Sequence, residues 1–210
     1  MDEKFTAAFS KVWRADDKNL HVNPEVIVPL SYAVKRNALT NGTRETLRTA
    51  IDYWEKFPTA LLVFASSSHC FPGSEKTEER FKFEMLDQAV VSRESVLSCG
   101  PIVNTVTEAE AICRTLRETG KHLKNILLVT GIMHSRGVKY IWGKTLKKYF
   151  PDAKLAITVI PLEYEYQKDH PLMLQRGPLR WIFANIARQV SLRILGLKFT
   201  GKLYEPSSLD

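Results

Sequence analysis

The chain has 210 residues, a net charge of +7 and a pI of about 9.3, with 44% hydrophobic and 25% charged residues. That length and balance suit one globular domain with a full core and exclude a disordered or fibrous chain. No run approaches the roughly 18 apolar residues of a membrane span. The first nineteen residues also lack the apolar centre of a secretory signal, so a cytoplasmic protein is expected.

Short apolar runs alternate with amphipathic segments along the chain, which predicts stacked β-α units. Val26-Ile27-Val28 is the first predicted strand, ending at Pro29 because a proline inside a central strand would remove a ladder donor. A helix follows over 43–56, with Leu47, Ala50, Ile51 and Trp54 at helical spacing and Pro58 beyond its end. Residues 61–65 form the second strand, and 66–77 read as a loop with a Pro72-Gly73 turn signal. A helix over 78–89 leads to a brief strand at Val96-Leu97 and a turn over 98–101. The helix over 105–119 carries Val106, Ala109, Cys113 and Leu116 as its apolar stripe, and Gly120 ends it.

The run 125–130 (NILLVT) reads as the most convincing buried strand. After it, a helix over 135–149 buries Val138, Ile141, Trp142 and Leu146, while Lys139, Lys144, Lys147 and Lys148 face water. A fifth strand spans 155–160. The segment 178–197 is a last amphipathic helix with Trp181, Ile182, Ile186, Val190 and Ile194 inward. Five strands with intervening helices predict an α/β fold with a mostly parallel sheet covered on both faces. One domain over 22–200 is expected, with 1–21 as an N-terminal arm and 201–210 as a tail. Cys70, Cys99 and Cys113 are widely spaced, so free thiols are expected, without a disulfide framework or a metal site.

In open α/β sheets, ligands bind beyond the carboxyl ends of the strands. The stretch 128–136 (LVTGIMHSR) places Thr130, His134, Ser135 and Arg136 where a strand runs into a helix N-terminus. Helix-terminal N–H groups joined by a guanidinium form an anion site, and His134 adds a proton donor or base. Alternatively, Ser135 is a helix cap and His134 a surface residue. Ser66 and Ser67, past the second strand, offer hydroxyls to a phosphate or carboxylate. A serine hydrolase is not favoured, because no Gly-x-Ser-x-Gly elbow is present. Thr105 with Glu108 reads as a capping box, which leaves Asn104 the better candidate to face the site. Glu78 and Glu79 start a helix, where carboxylates offset the macrodipole, and either is also a candidate acid or base.

In this order, VIVPLS, Arg44 or Arg48, FASSS, Glu78 or Glu79, Asn104-Thr105 with Glu108, and LLVTGIMHSRG resemble the YdcF-like family over roughly residues 25–160. Departures are Pro29-Leu30-Ser31-Tyr32 in place of a glycine-rich first loop, and Ser66-Ser67 where two glycines are usual. Gly137 also follows Arg136 where a second arginine is sometimes found. Glycine lets backbone approach a ligand closely, so these changes alter the site. The resemblance implies a Rossmann-like three-layer sandwich and a pocket for a nucleotide-like or phosphorylated molecule. S-adenosylmethionine is associated with one branch of the family.

The expected function is therefore binding of a small anionic or nucleotide-like ligand, with hydrolase or transferase chemistry as an extension. His134, Glu78 and Glu79 are the proton-transfer candidates. Arg136, Ser135, Thr130, Ser66, Ser67, Asn104, Thr105, Glu108 and Arg44 are the candidate ligand contacts. The alternative is a non-catalytic basic module that docks on an anionic partner or membrane surface. Its feature is the acid-free C-terminal run carrying Arg180, Arg188, Arg193 and Lys198. A dedicated nucleic-acid binder is not expected, since neither zinc-finger spacing nor an RNA-reading aromatic motif is present.

Overall fold

The structure, a computed structural model, describes residues 3–17, 23–67 and 76–194, the side chain of Ser67 and those of residues 3–7 excepted. Five strands form one all-parallel sheet in the order β3-β2-β1-β4-β5: β1 (Val26–Pro29), β2 (Leu61–Ser67), β3 (Val96–Ile102), β4 (Asn125–Gly131) and β5 (Lys154–Ile160). Side chains alternate across each strand, so successive residues feed opposite cores. Val26, Val28, Val63, Ala65 and Ile126 pack under α4 (Thr105–Glu118) and α5 (Ile132–Tyr149). Ile27, Leu62, Phe64 and Val129 pack under α2 (Asn41–Lys56) and α3 (Glu78–Gln88). The result is a three-layer α/β sandwich of Rossmann-like type, as expected. Its order reverses between β1 and β4, and that reversal defines the crevice where such sheets take ligands.

Three boundaries differ from the sequence expectation, each for a local reason. β3 does not stop at Leu97 but continues through Ser98 to Ile102. An extra residue on β3 shifts the register between the Phe64–Ser98 and Ser66–Pro101 pairs, and Gly100 takes φ +78° there. A bulge absorbs the glycine, and an edge strand tolerates the proline. In α4, Asn104 is the cap: its side chain accepts from the N–H groups of Val106 and Thr107, and Thr107 completes the box. Thr105 and Glu108 are thereby released from the capping role expected of them. α5 starts at Ile132 rather than Ser135, so Gly131 is its cap position, and His134 and Ser135 lie inside its first turn.

The two ends of the chain also pack. Residues before 22, expected as an arm, include α1 (Glu3–Trp13), which lies on α5. The indole of Trp13 donates to the Met133 carbonyl (2.8 Å), and Asp17 exchanges hydrogen bonds with the backbone of Ile157 on edge strand β5. At the other end, α6 (Pro178–Ile194) turns Trp181, Ile182, Asn185 and Leu192 inward. Val190 and Ile194, expected inward, are instead exposed. Residues 195–200 and the expected tail 201–210 lie outside the described residues.

Candidate functional site

The crevice at the reversal point is filled largely by the protein's own side chains. Tyr32, just past β1, reaches over to β4, where its hydroxyl meets Thr130 Oγ1 (3.0 Å) and accepts from the Gly131 N–H (2.6 Å). Glu165, after β5, takes the N-terminus of α5. Its carboxylate accepts from the Met133 N–H (2.9 Å) and from the Trp181 indole (3.1 Å). Burial pushes this carboxyl up to about 7, against the opposing effect of those donors. A Cβ on Gly131 would fall inside the Glu165 carboxyl group, so this position must be glycine. The helix N-terminus expected to hold an external anion is therefore occupied by an internal one.

On the other side of β1, four polar groups converge. Lys82 on α3 has no exposed surface. Its ammonium donates to Ser31 Oγ (2.6 Å) and the Ala65 carbonyl (2.6 Å), and it pairs with Glu78 (3.1 Å), which is equally buried. Ser31 Oγ in turn donates to the Ala65 carbonyl (2.9 Å). Ser31 Oγ accepts from Lys82 and spends its own proton on the Ala65 carbonyl, so the pair is not arranged for Lys82 to take that proton as a base. Glu108 on α4 accepts from the Ser31 N–H (3.3 Å). Burial is the largest influence on Glu108 and raises its carboxyl to about 8, while Lys82 and Arg188 act in the opposite direction. It therefore carries a proton at neutral pH.

Beside this set lies His134, 4% exposed, with the rings of Tyr32 and Trp181 edge-on to it at 5.5 and 6.0 Å between centroids. Arg188 of α6 donates through Nη1 to His134 Nε2 (2.6 Å) and through Nη2 to Thr105 Oγ1 (2.9 Å). A guanidinium can only donate, so Nε2 accepts and the ring proton sits on Nδ1. That Nδ1 is buried and has no hydrogen-bond partner among the described residues. Burial, and then the Arg188 charge, hold the imidazole well below its usual pKa, so it is neutral.

The candidates thus divide. Thr130, His134, Thr105, Glu108 and Glu78 gather around the crevice, as does Ser66, whose Oγ is buried without a hydrogen-bond partner. Ser135 is buried nearby but is tied up: its hydroxyl donates to the Ile132 carbonyl (2.6 Å) and accepts from the Ala15 N–H (3.2 Å). Asn104 is engaged as the α4 cap. Glu79 accepts from Ser98 (2.5 Å), on the strand rather than in the crevice. Arg44 is exposed and bonds Asn41 (3.0 Å) on its own helix. Arg136 is exposed too, and its guanidinium donates to the carbonyls of Trp13 (2.9 Å) and Val12 (2.7 Å) at the end of α1. The expected anion-binding arginine is instead a helix cap, and Arg188 is the guanidinium in the crevice. The Ser67 side chain lies outside the described structure.

No family model, curated protein or solved structure matches this chain. The site must therefore be read from its own chemistry. Four of its members were missed in the sequence: Lys82, Arg188, Glu165 and Tyr32. Three left a signal. Glu78, Lys82 and Leu86 share one helix face at i, i+4 spacing, and Arg188 shares the face of Trp181, Asn185 and Leu192. Tyr32 lies in the stretch 29–32 that the strand-end rule selects, whereas nothing local marks Glu165.

Proposed function

We propose that this protein binds a small anionic molecule, nucleotide-like or phosphorylated, in the crevice beyond β1, β2 and β4. The observation that carries this reading is the set of ionisable groups withdrawn from water at the sheet's reversal point: buried Lys82, Glu78, Glu108 and His134, with half-buried Arg188 on the His134 ring. Burying such groups is costly and returns little stability, and perturbed groups in a strand-end crevice are the physical mark of a working site. Arg188 with Thr105 supplies the anion contact, and the Nδ1–H of His134 with the Ser66 hydroxyl supplies orienting hydrogen bonds. Glu108, protonated near neutrality, is suited to give a proton to a leaving group, which fits hydrolase or transferase chemistry. Membership of the YdcF-like family belongs to this proposal and rests on the motifs around Asn104-Thr105 and Thr130 to Arg136. S-adenosylmethionine, whose carboxylate suits an arginine, is one candidate ligand.

Thermal melting of the full chain against nucleotides, S-adenosylmethionine and sugar phosphates at millimolar concentration tests the reading. A true ligand at a hundred times its Kd adds about 2.7 kcal/mol. Arg188→Ala abolishes that gain, whereas Arg136→Ala keeps it. Absence of stabilisation by every ligand in the panel would overturn the proposal.

A further inference from the structure

α6 carries a second apolar face that the core does not use. Phe183 is 66% exposed, Val190 52% and Ile194 74%, with Ala187 exposed between them. At 100° per residue these four fall within about 60° of the helix circumference. Arg180 and Arg193, both exposed, flank the stripe on opposite sides. Arg188 belongs to the inward face, beside Trp181, Asn185 and Leu192, and takes no part in this one. The turn feeding the helix adds exposed Leu172, Met173 and Leu174 and an exposed Arg176. From residue 170 to residue 204 the sequence contains neither Asp nor Glu.

An exposed apolar stripe whose flanking charges, among the described residues, are all arginines complements one kind of surface: apolar just beneath a layer of negative charge. We infer that α6 lies in the plane of an anionic lipid bilayer, with Phe183, Val190 and Ile194 in the headgroup–acyl boundary and Arg180 and Arg193 on lipid phosphates and carboxylates. A bulk soluble acid would satisfy the arginines and leave the apolar stripe in water. An apolar protein groove would cover the stripe and strand the arginines. Among the described residues no helix is long and apolar enough to cross a membrane, so the association is with the surface. The inference is independent of the crevice, which uses the opposite face of the same helix.

Co-sedimentation of the full chain with vesicles of phosphatidylcholine, alone or mixed with phosphatidylserine, tests it. The protein pellets with the mixed vesicles and not with the neutral ones, and added salt weakens the binding. Arg180→Glu with Arg193→Glu lowers the partition coefficient by at least about thirty-fold, given roughly five-fold per basic residue at an anionic surface. Phe183→Ser with Val190→Ser also releases the protein, and both double variants melt like the parent because the positions are exposed. Three results would each overturn the inference. One is a supernatant that retains the parent protein with mixed vesicles, and another is pelleting unchanged in both variants. The third is a lipid-free dimer that Phe183→Ser with Val190→Ser dissociates, which would place a second copy on this face.

Discussion

At the scale of single residues, the crevice is governed by desolvation. Glu108 and Glu165 are almost wholly buried, and burial raises their carboxyls to about 8 and about 7. A carboxyl whose pKa is higher folded than unfolded binds more protons in the native state. Its stabilisation is complete below the unfolded value near 4.5 and is lost as pH rises through the folded value. The stabilisation from these two carboxyls therefore falls from about pH 4.5 to about pH 8, each contributing a slope of at most about 1.4 kcal/mol per pH unit. His134 and His170, held below their usual range by burial, oppose that fall below about pH 6.5. Between pH 7 and 8 Glu108 contributes the larger share, since Glu165 is already about half titrated at pH 7. Glu108→Gln, which keeps an acceptor for the Ser31 N–H, flattens the curve in that interval when urea unfolding is measured across pH. An unchanged slope would place the titration elsewhere. The two described cysteines lie outside this chemistry, since burial pushes Cys99 up to about 11 and Cys113 up to about 12, which keeps both as thiols, and Cys70 lies outside the described residues.

At the scale of elements, a long polar side chain can be claimed by whichever helix end comes nearest. Arg136 begins close to the expected site, yet α1 presents two unsatisfied terminal carbonyls to it, and its guanidinium stacks 5.1 Å from the Trp13 ring. A cation at a helix C-terminus is worth up to about 1 kcal/mol when exposed. Arg136→Ala accordingly lowers stability by about that amount and speeds amide exchange in α1, with ligand stabilisation intact. Protection of α1 that survives the change would show that Trp13 and Asp17 hold it alone. α6 is the converse case. Its apolar residues run all the way round, so periodicity cannot say which face the core takes. Packing settles the choice in favour of Trp181 and Leu192, and Arg188 is carried inward with them.

At the scale of the whole molecule, Lys82 joins three separate segments of chain. It sits on α3, bonds the end of β2 at Ala65, and holds the Ser31 loop beyond β1. Removing one partner of a buried pair leaves the other uncompensated, at about 3–5 kcal/mol. Lys82→Met shows such a loss in urea unfolding, and adding Glu78→Leu restores most of it. A loss under about 1 kcal/mol for the single change would mean that water replaces the ammonium readily.

The sheet, its parallel sense and the strand-end location of polar residues were legible in the sequence. Period and hydrophobicity are local properties, and Val26-Ile27-Val28 and NILLVT declare buried strands without any help from the rest of the chain. The Thr105–Glu108 spacing was legible too, but ambiguous. Asn104 and Thr105 are both good caps, and only the backbone turn decides which of them takes the helix end. What tertiary structure alone decided was the partnering of charges. His134 meets an arginine 54 residues away, Ser31 meets a carboxylate 77 away, and the N-terminus of α5 is filled by a carboxylate from beyond β5. No local pattern encodes such pairs. They follow from which strands the sheet places side by side and which helix face the core has already claimed.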